Sequence, residues 1–267
     1  MGGGGVFLLL LVAYILTADK TITEVAYSMQ DQNDVISSPL PGFIPVFIPV
    51  YKESVLEIHK TMAKFKECNV ANVHVRSALR IYFIVDNTRA SEVVQTLLEV
   101  CVLDSLELED EFQTPVLCGT CYGVKCKIVL KGETHAWPQV KRHLSVLFTK
   151  IVKNNELSGD INPWAALCLD SDVLAYPCSI ERLVIDLMLD PNCVVTCGNM
   201  LPSAVKESSL CFHLQRAEYH VQNRVVKNAE ALVGVVSCCP GAFLCIRFPV
   251  FDNALNSYVG LEVDADD

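Results

Sequence analysis

The sequence predicts an α/β fold: a mostly parallel central sheet carrying helices, preceded by a hydrophobic N-terminal segment. Three observations lead there. Short apolar runs rich in β-branched and aromatic residues alternate with stretches of helical spacing, the pattern of βα units. The 267 residues are 51 % hydrophobic and only 19 % charged, too apolar for a disordered chain and long enough to bury a sizeable core. Residues 6–18 are apolar and uncharged up to Asp19.

That first segment is shorter than the roughly 20 residues of a full membrane helix. No basic residue precedes it, as a signal peptide would require. A membrane helix or its remnant, a signal peptide and a buried segment are the three readings. Residues 1–20 therefore form a hydrophobic segment, and residues 21–42 a linker ending in Ser37-Ser38-Pro39-Leu40-Pro41-Gly42. Residues 43–250 form the folded domain, and residues 251–267 an acidic tail.

Within the domain, Val46–Tyr51 reads as a strand. Ser54–Lys66 reads as a helix with Val55, Ile58, Met62 and Phe65 on one face, and Ser54 with Glu57 forms a capping box. Leu79–Val85 is a strand, and Ser91–Val102 a helix presenting Val94, Leu97, Leu98 and Cys101. The acidic stretch Leu103–Phe112 reads as a loop, Tyr122–Leu130 as a strand and Trp137–Lys153 as an amphipathic helix. Ala165–Leu169 is an apolar strand, Ile180–Leu189 a helix, Cys193–Cys197 a buried strand and Ser209–Leu232 a long helical stretch.

In parallel sheets, ligands sit at the carboxyl ends of the strands. Three predicted strands end in acidic residues there: Tyr51-Lys52-Glu53, Asp86, and Asp170-Ser171-Asp172. Carboxylates at that edge suit a divalent cation, and the cation in turn suits a phosphate. Taken singly, each of these groups is as well explained by turn or helix-cap chemistry. The net charge of −10 leaves no basic footprint for nucleic acid. The 13 cysteines are an odd number spread over a long chain, which suits reduced, mostly buried thiols better than a disulfide scaffold. Cys118-Gly-Thr-Cys121 with Cys126 and His135 has part of the spacing of a zinc or redox site. Two thiols in a loop explain it as well.

Several segments resemble the processive family 2 glycosyltransferases, and chitin synthases in particular. Pro49-Val50-Tyr51-Lys52-Glu53 is similar to their opening strand motif, and Cys168-Leu169-Asp170-Ser171-Asp172 to their Asp-x-Asp strand. Val195-Thr196-Cys197-Gly198, Gln215-x-x-Glu218-Tyr219, Val236-Ser-Cys-Cys-Pro240-Gly241-Ala242-Phe243 and the following Arg247 resemble the chitin synthase signature. Tyr82-Phe83-Ile84-Val85-Asp86 sits in the expected order, and the resemblance covers about residues 45–247.

The resemblance implies a glycosyltransferase-A fold that binds UDP-N-acetylglucosamine with Mg²⁺ or Mn²⁺. It implies inverting transfer to a growing β-1,4 chitin oligosaccharide, from a domain facing the cytosol at the plasma membrane. Carried over, Tyr51, Glu53, Asp86, Asp170 and Asp172 bind the donor, and Asp172 with Asp170 holds the metal. Cys239, Pro240, Gly241, Ala242 and Phe243 line the sugar and acceptor site, supported by Gln215, Glu218 and Tyr219. The family's Glu-Asp-Arg base motif and Gln-x-x-Arg-Trp product clamp do not occur in these 267 residues. The expectation is thus an incomplete catalytic domain with no assignable base. A homo-oligomer or a partner would supply the missing parts. The alternative is an inactive nucleotide-sugar-binding homologue or regulatory subunit.

Overall fold

A computed structural model describes residues 39–50, 53–67, 72–85, 90–109, 114–130, 162–203, 209–234 and 236–254. The chain divides into two compact units. The larger, Ile36–Cys197 with Pro240–Asp267, carries the sheet; the smaller is Gly198–Cys239 with Met1–Val35. The N-terminal hydrophobic segment, most of the linker, Tyr51, Asp86, His135 and the Trp137–Lys153 stretch lie outside the described residues.

The described residues of the larger unit form eight strands. They are β1 (Ile44–Val50), β2 (Leu79–Val85), β3 (Cys101–Glu109), β4 (Thr114–Cys121), β5 (Val124–Leu130), β6 (Ala165–Leu169), β7 (Val195–Cys197) and β8 (Phe243–Arg247). Their order across the sheet is β3-β4-β5-β2-β1-β6-β8-β7. The central run β5-β2-β1-β6 is parallel. Both flanks are antiparallel, β3-β4-β5 on one side and β6-β8-β7 on the other.

The sheet is therefore mixed rather than mostly parallel, with three parallel pairings and four antiparallel ones among the described residues. The connection lengths explain this. Parallel neighbours need long crossovers, whereas β4 and β5 are joined by only Tyr122 and Gly123. Both turn residues have positive φ, 51° and 77°, as a two-residue turn that matches strand twist requires.

Helix α1 (Val55–Glu67) buries Ile58, Met62 and Phe65. Its capping box is closed in both directions: Glu57 accepts from the Ser54 amide at 2.7 Å, and the Ser54 hydroxyl accepts from the Glu57 amide at 3.3 Å. The Ser54 amide, and then the Ser54 hydroxyl, both donating to the Glu57 carboxylate, hold it below its ordinary value. A short α2 (Val73–Ala78), unpredicted, is capped by Asn72, whose side chain accepts from the amides of His74 and Val75. The Asn72 amide in turn donates to Glu181, which is 4 % exposed in α4 (Ser179–Leu189). A buried carboxylate thus joins two helix N-termini that lie far apart in sequence.

Helix α3 (Ala90–Val100) buries Val93, Thr96 and Leu97 instead of Val94 and Leu98, and Cys101 already belongs to β3. The predicted apolar stripe is one residue out of phase. The stretch read as an acidic loop is mostly strand β3. As the outermost strand it tolerates charges that a central strand would not. The register of β3 shifts between Leu103 and Ser105. At that shift a Cβ on Gly119 would come within 2.1 Å of the Val102 carbonyl oxygen, so only glycine fits. One core cluster joins Phe43, Tyr82, Ile84, Val116, Val129 and Ala166 with Phe248, and Phe251 packs on it. Residues 248–254 are helical.

Arg247 closes the flank beyond β6. Its guanidinium donates to the carbonyls of Leu187 (2.7 Å), Cys193 (2.8 Å) and Asp190 (3.2 Å). It also lies 5.7 Å from the centre of the Trp164 ring. These carbonyls belong to the last turn of α4 and the segment leading into β7, where helix-end carbonyls have no partner within the helix; the Asp190 carbonyl also accepts from the Cys193 amide at 3.0 Å. Arg247→Ala is expected to lower the unfolding free energy by about 3 kcal/mol, with Arg247→Lys recovering part of it because an ammonium lacks the fork. Urea unfolding measures this; a loss below about 1 kcal/mol would show the clamp to be idle.

Candidate functional site

Strand β1 is the first in sequence and lies inside the sheet. The chain goes from β1 to β2 on one side, and later returns to β6 on the other. This reversal is the topological switch point, where the carboxyl ends of β1 and β6 frame a crevice. Strands β1 and β6 are in register at Val46 with Leu167 and at Phe47 with Cys168. Asp170 follows β6 directly, so Asp170-Ser171-Asp172 lies at that edge.

A second segment meets it there. Leu169 pairs with Phe243, and the Asp170 amide donates to the Ala242 carbonyl at 2.9 Å. The antiparallel pairing of β6 and β8 thereby places Pro240-Gly241-Ala242-Phe243 beside the two aspartates. Two of the segments singled out in the sequence converge, about seventy residues apart in the chain.

The local chemistry is asymmetric. Asp170 is half-buried and Asp172 exposed. Val173 donates to the Asp170 carbonyl at 3.1 Å and closes the turn. Between the carboxylates, Ser171 is 2 % exposed. Its hydroxyl has no hydrogen-bond partner among the described residues. A buried hydroxyl without a partner costs free energy that the fold alone does not return. Gly241 is exposed, and a Cβ there would meet nothing within 4 Å. Neither packing nor a positive φ demands glycine at this position.

Cys168 lies just before the pair. Burial first, then the Asp170 carboxylate, pushes its thiol up to about 12. It stays protonated near neutrality and is a packing thiol rather than a nucleophile.

The other sequence-predicted residues divide clearly. Glu53 is half-buried ahead of α1. Arg247, part of the resemblance, is committed to three carbonyls. In the smaller unit, α5 (Leu210–His220) is capped by Ser209, whose hydroxyl accepts from the Phe212 amide at 3.1 Å. Gln215, Glu218 and Tyr219 are exposed on α5, spaced so that they share one face. The helix continues as a π segment (Val221–Val226) and then α6 (Lys227–Leu232). Asn223 on the π segment donates to the Met200 carbonyl at 3.0 Å and accepts from Lys227 at 2.8 Å. Cys239 ends the smaller unit and is half-buried.

The thiols are less uniformly buried than expected. Among the described cysteines, Cys101, Cys121, Cys126 and Cys245 are buried, whereas Cys178, Cys211 and Cys238 are exposed. Cys118 and Cys121 lie in β4, not in a loop. Among the described residues no group of three metal-ligating side chains could hold an ion. None of the described helices is long and apolar enough to cross a membrane.

The sequence reading missed the buried Ser171 and the Arg247 clamp. Ser171 could have been suspected, since a residue between two strand-end aspartates turns back to the sheet. The Arg247 clamp depends on partners 54 and 60 residues away, and no local signal announces it.

Comparison with known proteins bears on the same segment. Residues 145–266 match the family model described as chitin synthase. That range contains Asp170, Asp172, Pro240–Phe243 and Arg247, and it excludes β1 to β5. Over 97 residues the chain is 30 % identical to chitin synthase csmA of Aspergillus niger, covering 36 % of this chain and 6 % of that protein. Over 81 residues it is 33 % identical to chitin synthase 5 of Mycosarcoma maydis, covering 30 % of this chain and 5 % of that protein. Chitin synthase E of Aspergillus fumigatus is 30 % identical over 97 residues, covering 36 % and 5 %. The match thus spans only about one-twentieth of the length of these relatives. Residues 145–266 of this chain are thus similar to chitin synthases.

Proposed function

We propose that this chain carries the donor-binding part of a glycosyltransferase of chitin synthesis. The donor would be UDP-N-acetylglucosamine and the acceptor a chitin oligosaccharide. The observation that supports this most is the meeting of Asp170-Ser171-Asp172 with Pro240-Gly241-Ala242-Phe243 at the switch point, inside the matched residues.

The donor set fits a hard divalent cation such as Mg²⁺ or Mn²⁺. It offers carboxylate oxygens only, one of them exposed, and such ions use one or two carboxylates together with substrate phosphates. Asp172 would hold the ion, with Asp170 alongside. When bound, the ion neutralises the charge of the departing diphosphate.

The residues of the chain itself do the rest. The buried Ser171 hydroxyl is available to a polar group entering the turn. Gly241 lets a sugar approach the backbone without a side chain in the way. Phe243, buried at the start of β8, fixes the turn against Leu169. Gln215, Glu218 and Tyr219 provide a polar and aromatic face suited to sugar hydroxyls and ring faces. Inverting displacement, membrane association and a cytosol-facing site follow from the same reading.

Calorimetry with UDP in the presence of Mn²⁺ tests the donor site. Saturable, metal-dependent binding is expected, and Asp172→Asn should weaken it at least tenfold while leaving the fold intact. Absence of metal-dependent binding to the folded chain would overturn the assignment. Labelled N-acetylglucosamine incorporated into insoluble product would add turnover; binding without incorporation would favour a nucleotide-sugar-binding homologue.

A further inference from the structure

Three thiols gather at the opposite flank of the sheet, outside the residues that match the family. Cys101 is the first residue of β3, directly after α3. Cys121 is the last residue of β4, and the two are directly paired in the antiparallel ladder. Cys126 lies on β5, paired with Gly119. All three are buried.

Strand alternation puts them on one face. Cys121 pairs with Val124, and Cys126 is two residues further along the same strand. Gly119 lies on that face too and brings no side chain, so the Cys126 thiol reaches across β4. The Cys121 and Cys126 thiols both lie close enough to Cys101 to act on its titration. Cys118, three residues before Cys121, packs instead with the Phe43 and Tyr82 cluster on the other face. The Cys-x-x-Cys spacing in the sequence is therefore split across the sheet, and the real neighbour of Cys121 is twenty residues upstream.

We propose that Cys101 and Cys121 form a latent cross-strand disulfide, an oxidation site that fastens the edge strand β3 to β4. Directly opposed residues of an antiparallel pair have Cα atoms about 4.5–5.5 Å apart, within the range of about 4.4–6.8 Å that a disulfide spans. Cys121 and Cys126 are diagonal neighbours, about 7–8 Å apart, which is too far. Cys126 remains the thiol beside the bond.

The oxidant is hydrogen peroxide, small enough to reach a buried thiol when the hairpin end opens. One thiol, as thiolate, attacks the peroxide oxygen. The O–O bond breaks, a sulfenic acid forms and one water leaves. The second sulfur then attacks the sulfenic sulfur, and the displaced hydroxide takes the remaining proton and leaves as water. Two S–H bonds are lost and one S–S bond forms, while the peroxide is reduced to two waters.

The reaction is slow by construction. The neighbouring Cys121 thiol leads the causes that push the Cys101 thiol up to about 12. Cys126 is held in the thiol form by the neighbouring Cys101, by burial and by Asp104. Since the thiolate is the nucleophile, oxidation should accelerate as pH rises and lag behind the exposed Cys178, Cys211 and Cys238.

The test is peptide mapping of the full 267-residue chain, reduced, treated with hydrogen peroxide while folded, then denatured and alkylated. The expected product is a peptide pair joining Cys101 to Cys121. It should be two hydrogens lighter than the sum, lost on reduction, and retained in Cys126→Ser and Cys118→Ser. Alkylation of Cys101 and Cys121 should fall together. Oxidation confined to the exposed cysteines, a Cys118–Cys121 product, or a link that forms only after unfolding would each overturn the proposal.

Discussion

The pairing of β6 with β8 is the constraint on which the proposed site depends. Strand β6 has β1 as a parallel neighbour on one side and β8 as an antiparallel neighbour on the other. The first contact delivers the end of β6 to the switch-point crevice. The second brings a turn from more than seventy residues downstream to the same place. The hydrogen bond from the Asp170 amide to the Ala242 carbonyl continues that ladder one step beyond the strands. Without it, two short polar segments would be unrelated turns.

Everything around this junction serves to hold β8 in position. Arg247 at its far end ties α4 and the approach to β7 to the strand through three carbonyls. Thr196 on β7 donates its hydroxyl to the Leu183 carbonyl at 2.9 Å, fastening the outermost strand to α4. The helical residues 248–254 follow at once, with Phe248 buried in the cluster that also holds Tyr82 and Ala166. The polar site is therefore carried on a rigid apolar frame, an arrangement common to α/β proteins whose function resides in the loops.

Legibility in the sequence followed burial. Leu79–Val85 and Ala165–Leu169 were readable to the residue because central strands are continuous apolar runs. The Ser54–Glu57 box was readable because capping is local. The flanks were harder. Strand β3 carries acidic residues that look like loop, and β4 contains proline and glycine; only pairing along their length makes them strands. The stripe on α3 was misplaced by one residue because Val93, Val94, Leu97 and Leu98 fit two adjacent faces equally well. The strand-end position of Asp170 and Asp172 was legible from the apolar run before them. The Ala242 contact, the buried Ser171 and the Cys101–Cys121 pairing required the register of the sheet, which no single segment encodes.

The central claim is that the Asp170–Asp172 turn and the Pro240–Phe243 turn act together as one ligand site. Amide hydrogen exchange of the full chain, with and without UDP and Mn²⁺, addresses it directly. Protection should rise in both turns at once, and both responses should vanish together in Asp172→Asn. Protection in only one turn, or in neither while another region responds, would contradict the account.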